Sequence, residues 1–460
     1  IENWAKIQAD RFENNVIRGF HTELEAVYEE KNMSLTRDNS KVQEAIFSSL
    51  FPKHPYGTQT VLGTQENLKN PSITNIKNYY KQWYVPNNMA ICMSGDLDPD
   101  ETIALIDKYF GGLKPNCIIL AKQLAEPRNP CWPNPELPKL NLPKEDPITA
   151  PIVKEVLGPD AESVALAWRF PGLASKDFEV LQVVSQVLYN GKAGLIDLDL
   201  NQQQKVLNSY GYPMGLADYS AFILGGLPKQ GQTLEEVKDL LLNEIKKLRA
   251  GEFDEKMLQA NINNFKLYEL QSMESNEGRA DIFVNSFING TNWEDEVTAI
   301  DRMAKLTKED IVAFADKYLK EDNYAVVYKK QGKDPNEKKM TKPEITPIVS
   351  NRDVASPFLT SIQENAVKPI EPVFLDFKKD MSQLTAKSDI PVLYKQNTTN
   401  DLFQLIYVFD MGNNNDKALG TAFDYLEYLG TSDMTPEELK SEFYRLACTF
   451  YVSPGNERTY

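Results

Sequence analysis

The sequence predicts an α+β protein built from repeated units, and three features of its 460 residues favour this class. Apolar residues recur at helical spacing in several stretches, most clearly at residues 234–248. A helix-then-strand order occurs at residues 79–93 and again at 308–328. Proline-rich connectors separate these regions. The pattern indicates an internal duplication whose repeat is far longer than that of a solenoid.

The first predicted unit covers residues 1–115 and is mainly helical. Apolar residues at helical spacing predict a helix over residues 4–20. A strongly helix-forming stretch follows at residues 21–33, and an amphipathic helix at residues 99–110 closes the unit. A strand is predicted at residues 89–93. Residues 116–151 are rich in proline, which interrupts helices and central strands, so they are predicted to be a linker.

The second predicted unit covers residues 152–331. It begins with a strand and turn at residues 163–172. Helices are predicted at residues 178–188, 234–248, 253–270 and 308–318, before a strand at residues 324–328. Residues 332–377 form a second connector, rich in proline and lysine and longer than an ordinary loop, which we interpret as an interdomain strap. The third unit, residues 378–460, is predicted to contain a strand at residues 403–409.

Two glutamates on the second predicted helix are candidate functional residues. Glu23 and Glu30 lie seven residues apart, so their carboxylates share one helix face and are separated by roughly 10 Å along the axis. That separation is too large for both to bind one ion. One carboxylate can bind a metal while the other orients the site. A solvated acidic helix face is the alternative interpretation of such a pair.

This helix resembles the carboxylate-ligand helix of the insulinase or pitrilysin family of zinc peptidases, in which six residues separate two glutamates. The matching positions are Glu23, Ala26, Val27 and Glu30. Further blocks match the family in the same order: Lys-His-Pro-Tyr-Gly at residues 53–57, then residues 63–68, 79–91, 95–98 and 109–111. Several ordered blocks over the first unit make the resemblance specific.

The resemblance implies pitrilysin-type units, each with an antiparallel sheet covered by helices on one face. It implies that the intact protein is a Zn²⁺-dependent endopeptidase that hydrolyses peptides or unfolded polypeptides in a chamber formed by two homologous halves. Glu30 would be the anionic zinc ligand, and Glu23 would support the site without binding the ion. A non-catalytic partner or scaffold subunit of the same fold is the alternative function, and an α+β binding protein is a more distant one.

The histidine ligands of the family are missing from this sequence. The family's inverted motif, His-x-x-Glu-His, supplies two imidazoles and the general base, and it lies roughly 75 residues upstream of the carboxylate helix. The two histidines here are His21 and His54, which we interpret as a surface residue and a structural loop residue. Zinc in such peptidases needs three protein ligands and a water. We therefore expect an internal fragment, inactive alone, whose partners include the remaining segments of the same polypeptide.

In the third unit, the resemblance places a decayed copy of the zinc motif. Asp424, Glu427 and Tyr428 occupy the positions of His-x-x-Glu-His. A neutral phenol, with a pKa near 10, is a poor substitute for imidazole at pH 7. This unit is therefore predicted to have an architectural role without a second zinc.

Composition excludes several other classes of protein. The formal charge of −16 argues against a nucleic-acid partner, which would need a basic face. No apolar run approaches the roughly 20 residues that span a bilayer. Four widely spaced cysteines include Cys117 and Cys131, which could form a disulfide across the linker, although free thiols are the main expectation. The resemblance also favours a bacterial periplasmic or envelope location.

Overall fold

The computed structural model of the chain describes residues 1–115, 141–334 and 353–460. Internal contacts divide the chain into two units. The larger consists of Gln8–Ile348 with Asp424–Tyr451, and the smaller of Ile1–Ile7, Val349–Phe423 and Val452–Tyr460. The pairing proposed for Cys117 and Cys131 lies outside the described residues, whereas Cys92 and Cys448 are free thiols. Among the helices described, none is both long and apolar enough to cross a membrane.

Helices form most of the first hundred residues. Glycine at position 19 adopts a φ of 64° just before the second helix, and the first predicted helix ends ahead of it rather than continuing to residue 20. Side-chain caps fix other starts, since Ser72 accepts from the Asn75 N–H and Asp98 from the Glu101 N–H. The helices are α1 (Glu2–Glu13), α2 (Phe20–Thr36), α3 (Asp38–Leu50), α4 (Pro55–Thr58), α5 (Gln65–Lys69), α6 (Ile73–Trp83) and α7 (Pro99–Phe110).

The strand predicted at residues 89–93 is absent, and this prediction is wrong. A 3-10 turn at Pro86–Asn88 follows α6, and the next residues have no regular structure. A strand is stable only when a neighbouring strand satisfies its backbone N–H and C=O groups. In the parts of the chain that the structure describes, no strand pairs with these residues.

A five-stranded sheet forms the centre of the larger unit. Its order is β1-β5-β2-β4-β3, for β1 (Ile152–Gly158), β2 (Ser163–Pro171), β3 (Asn208–Gly215), β4 (Tyr219–Leu227) and β5 (Tyr324–Gln331). The α+β class is thereby confirmed. The sheet is mixed rather than purely antiparallel, because β1 pairs with β5 in parallel while the other pairs are antiparallel.

Large and small side chains alternate along β2 and place the sheet's two faces in different environments. Leu166, Trp168 and Phe170 point into the main core, whereas Ala165 and Ala167 point to the opposite face. The main core is covered by helices, as predicted: α8 (Lys176–Leu188), α9 (Leu234–Arg249), α10 (Lys256–Ser272), α13 (Ala299–Met303) and α14 (Lys308–Tyr318), with a π-helical turn at Asp197–Gln202. Helices α11 (Asn276–Asn289) and α12 (Trp293–Val297) lie between α10 and α13 in the chain and are not among the elements that line this core.

The second face of the sheet is covered by α3, which departs from the prediction of helices on one face only. Ile46 and Leu50 of α3 and the following Phe51 pack against the small alanine side chains of that face. Small residues allow a helix backbone to approach the sheet closely. The first predicted unit is therefore joined to the sheet of the second through a shared core.

The remaining helices are short. Helices α15 (Pro357–Gln363) and α16 (Leu419–Asp424) precede a 3-10 turn at Tyr425–Tyr428 and α17 (Pro436–Arg445), which packs on α10 in the larger unit. The smaller unit contains an antiparallel pair, β6 (Ser382–Thr385) and β7 (Pro391–Tyr394). The strand predicted at residues 403–409 is wrong, since only an isolated bridge joins Phe409 to Thr459. The predicted domain boundaries stay a prediction.

Candidate functional site

Glu23 and Glu30 both lie on α2, as the spacing predicts, and both are exposed. The opposite side of the helix holds it in place. Tyr28 and Lys31 are buried there, and Lys31 Nζ lies 3.0 Å from Glu44 Oε1 on α3. The two glutamates are therefore presented to solvent by a helix that is fixed along its other face.

The residues present do not fit a zinc site. No group of three or more His, Cys, Asp or Glu residues that could hold a metal ion exists in the described part of the chain. The ring of His21 packs edge-on against Phe20, and His54 is buried elsewhere in the larger unit. Glu30 would be a single ligand where a catalytic zinc needs three.

The decayed motif of the third unit has no regular helix to carry it. Asp424 ends α16, whereas Glu427 and Tyr428 lie on the 3-10 turn that follows. All three side chains are exposed. Lys440 lies 3.9 Å from Glu427 and 5.8 Å from the centre of the Tyr428 ring, so the nearest charged neighbour is a cation. This geometry supports no metal site at these residues.

A buried polar cluster lies where β2 meets the chain after α3, and the sequence alone did not predict it. Arg169 of β2 donates to the Leu50 carbonyl at 2.5 Å and to the Asp146 carbonyl. Glu145 Oε1 accepts from the backbone N–H groups of Lys53 and His54 at 2.8 and 2.7 Å. Burial lowers the pKa of Arg169, although Glu145 Oε2 at 3.7 Å opposes this effect.

The cluster borders a cavity of about 560 Å³, lined in part by His54, Arg169, Asp218 and Tyr219. Tyr219 accepts at its hydroxyl from the Glu145 N–H at 3.0 Å, and its ring lies under the Arg169 guanidinium, 5.7 Å away. Tyr219 also packs edge-on against His54. Several residues that line the cavity are thus held in one arrangement before any ligand binds.

Two signals in the sequence could have pointed to this cluster. Arg169 interrupts an otherwise apolar run in β2, and a charged residue inside a buried strand needs a partner. Glu145 lies in a proline-rich stretch that we interpreted as a linker, and its side chain is almost fully buried. Neither signal identifies the partner, because β2 and the linker meet only in three dimensions.

Comparison with known proteins identifies relatives among peptidases. A family model described as the peptidase M16 inactive domain matches residues 72–265. The zinc protease PqqE of Helicobacter pylori is 26% identical over 319 residues, which cover 68% of this chain and 67% of that protein. An uncharacterized zinc protease of Mycobacterium leprae is 24% identical over 222 residues, or 47% of this chain and 46% of that protein. The chain thus spans about half of this second relative.

Solved structures share the fold at low sequence identity. A protease from Helicobacter pylori superposes with a TM-score of 0.59 at 22% identity, covering 69% of this chain and 73% of that one. The periplasmic protease PqqL from Escherichia coli gives a TM-score of 0.52 at 14% identity, covering 100% of this chain and 52% of that one. At such identities the likeness concerns the fold alone, and it confirms the predicted pitrilysin-type architecture.

Proposed function

We propose that the chain, whose residues 72–265 match the peptidase M16 inactive domain, is part of a zinc-dependent endopeptidase and supplies the non-catalytic wall of a peptide-holding chamber. The observation that carries this proposal is the match of the inactive domain to residues 72–265, which include strands β1 to β4, helices α6 to α9 and the first part of α10. The sheet and its helices are rigid elements suited to form a wall. The substrate would be a peptide or an unfolded polypeptide.

In this proposal the residues of the chain contribute at most one zinc ligand, Glu30. Peptide hydrolysis would need a His-x-x-Glu-His segment, which is not present in this sequence. Glu23 would orient the site through contacts made in the assembled protein. The chain's own contribution is then to fix α2, through α3, against the sheet.

The first test uses the purified chain. We expect metal analysis to find no stoichiometric zinc, and a quenched fluorescent peptide to remain uncleaved with or without a chelator. The physical reason is that one carboxylate cannot hold zinc against water and buffer. One zinc per chain, together with cleavage that a chelator abolishes, would show that the chain is itself an enzyme.

The alternative function is a non-catalytic partner or scaffold subunit. The described residues contain no group of three possible metal ligands, and this observation agrees with both functions. The two proposals predict different zinc binding and cleavage for a polypeptide in which a further segment precedes this chain. If that segment carries an intact His-x-x-Glu-His, Glu30→Gln should nearly abolish zinc binding and cleavage, because an amide is a weaker ligand for a dication than a carboxylate. Glu23→Gln is the matched control and should cost about 10–100-fold.

If the longer protein neither binds zinc nor cleaves peptides before any substitution, the scaffold function stands. If Glu23→Gln removes the metal and Glu30→Gln retains it, the roles assigned to the two glutamates are reversed.

A further inference from the structure

The cavity beside β2 has features of a small-molecule site that the proposed peptidase function does not use. Its volume of about 560 Å³ falls within the range of ligand pockets, roughly 300–1,000 Å³. One part of its lining is apolar, formed by Leu142, Pro143, Phe170 and Pro171. The other part is polar, and it contains charges of both signs.

His54 places an unpaired hydrogen-bond donor in this cavity. Its side chain is only 1% exposed, and its Nδ1 accepts from the Tyr56 N–H at 3.3 Å. The proton of the neutral ring must therefore be on Nε2. This N–H is buried and makes no hydrogen bond in the described part of the chain, because Asp218 Oδ2, 3.4 Å away, does not lie in its direction. A buried donor without a partner is costly, so the site is suited to a ligand that brings an acceptor oxygen.

Asp218 limits what that ligand can be. Its Oδ2 lies 3.4 Å from His54 Nε2, and its side chain is 51% exposed. A simple anion that accepted from His54 would be repelled by this carboxylate. A ligand that carries an acceptor and a cationic donor close together satisfies both residues at once.

Lys144 adds a positive charge, since it is exposed and lines the same cavity. Arg169 contributes less to binding, because its two terminal nitrogens already donate to backbone carbonyls. Beside Asn141, Arg169 and Tyr219, the polar part of the lining therefore includes an anionic group, Asp218, a cationic group, Lys144, and the N–H donor of His54. An α-amino acid matches this set, because its ammonium and carboxylate are neighbours on one carbon.

We propose that the cavity binds a free α-amino acid with an apolar side chain. The ammonium binds Asp218, the carboxylate accepts from His54 Nε2 and pairs with Lys144, and the side chain contacts Leu142 and Phe170. Binding is measured directly and needs neither zinc nor cleavage, so its outcome is independent of the proposed function.

The test compares leucine with three blocked forms by calorimetry on the full chain. N-acetyl-leucine lacks the ammonium, leucinamide lacks the carboxylate, and N-acetyl-leucinamide lacks both. We expect leucine to bind, each singly blocked form to bind about 10–100-fold more weakly, and the doubly blocked form to show no binding. Equal binding of all four forms, or no binding of any, would overturn the proposal.

Substitutions locate the site. Asp218→Asn should weaken leucine binding but not that of N-acetyl-leucine, whose carboxylate is no longer repelled by Asp218. Lys144→Met should weaken leucine binding but not that of leucinamide. Asp239→Asn and Lys266→Met are matched controls, because both residues are exposed and outside the cavity. If these controls reduce binding as much as the cavity variants do, the assignment of the site is wrong.

Nitrogen NMR observes the key contact without a substitution in the core. The chain has two histidines, so a His21→Gln variant leaves only the signals of His54. Leucine should shift the Nε2–H resonance of His54, whereas N-acetyl-leucinamide should leave it in place. Calorimetric binding of leucine without any change in that resonance would place the ligand elsewhere.

Discussion

The consecutive helices α2 and α3 use acidic residues in opposite ways. Glu23 and Glu30 on α2 are exposed, and the resemblance to zinc peptidases is what marks them as candidates. Asp38, the first residue of α3, is 2% exposed, and its Oδ2 accepts from Lys329 Nζ at 2.7 Å and from the Asp160 N–H at 2.9 Å. One helix presents carboxylates to solvent, and the next uses a carboxylate to attach itself to the sheet.

The environment of Asp38 explains why it stays charged. Burial alone would raise its pKa, but the hydrogen bonds from Lys329 and Asp160, with the positive charges of Lys329 and Lys41, lower it overall. Lys329 is equally buried in β5 and also donates to the carbonyls of Asp160 and Ala161. The difference between the helices teaches that a solvent-exposed carboxylate and a structural one look alike in sequence, and that only their partners in the folded protein distinguish them.

The largest expected effect comes from removing the partner of Asp38. Lys329→Met should lower the free energy of unfolding by about 3–5 kcal/mol, because it leaves a buried carboxylate without its cation. Urea denaturation followed by circular dichroism measures this loss. Lys330→Met is the matched control, since Lys330 pairs with Glu155 at the surface and should change stability by less than about 1 kcal/mol. Equal losses in both variants would show that the pair does not anchor α3.

A smaller effect, which depends on pH, is expected at Asp197, a second buried carboxylate. Burial raises its pKa to about 6, although the N–H groups of Asn190 and Gly194 lower it in part. Because the folded state then holds this proton more tightly than the unfolded state, stability should fall as pH rises from about 4 to about 6 and change no further above that range.

Asp197→Asn tests this expectation, since an amide oxygen can accept the same hydrogen bonds but does not ionise. Relative to the original protein, the variant should gain stability between about pH 4 and 6 in urea titrations. Asp199→Asn, in the same turn, is the control and should leave the original pH dependence in place. If the free energies of unfolding of Asp197→Asn and the original protein differ by the same amount at every pH, the raised pKa assigned to Asp197 is wrong.

On α2 we expect almost no effect on folding. The double variant Glu23→Gln with Glu30→Gln should stay within about 0.5 kcal/mol of the original stability, because both side chains are exposed. Thermal and urea unfolding of the chain measure this. A loss comparable to that of Lys329→Met would mean that the two glutamates have a structural role rather than a chemical one.

No change at all is expected in zinc content when Asp424 and Tyr428 are replaced by alanine in the longer protein. Both side chains are exposed, and a protonated phenol supplies little of the ligand strength that zinc requires. Metal analysis alongside circular dichroism checks this. A loss of one zinc per chain, with the fold intact, would show that the third unit is a metal site.

Much of the larger unit could be predicted from the sequence. The helix at Lys308–Tyr318 and the strand at Ser163–Pro171 agree with the predictions, because amphipathic periodicity and apolar runs are local signals. The strands expected at residues 89–93 and 403–409 are wrong for a different reason. Whether a suitable sequence becomes a strand depends on a neighbouring strand, which local pattern does not reveal.

The candidate sites show the same limit. Spacing and resemblance located Glu23 and Glu30, because both lie on one predicted helix. The cluster of Glu145 and Arg169 was not predicted, since its members come from a proline-rich stretch and a strand that meet only after folding. Backbone groups of a third segment complete part of its hydrogen bonding, because the Leu50 carbonyl accepts from Arg169 and the His54 N–H donates to Glu145.

The parallel pairing of β1 with β5 has a consequence for how the chain acquires its structure. β5 lies between β1 and β2 and is the last strand of the sheet to leave the ribosome. Until Tyr324–Gln331 has been synthesised, β1 has no neighbour and one edge of β2 stays open. Long-range pairing of this kind slows folding and leaves strand edges available for aggregation. Nascent chains that end before β5 therefore expose the edges of β1 and β2 that β5 covers in the finished protein.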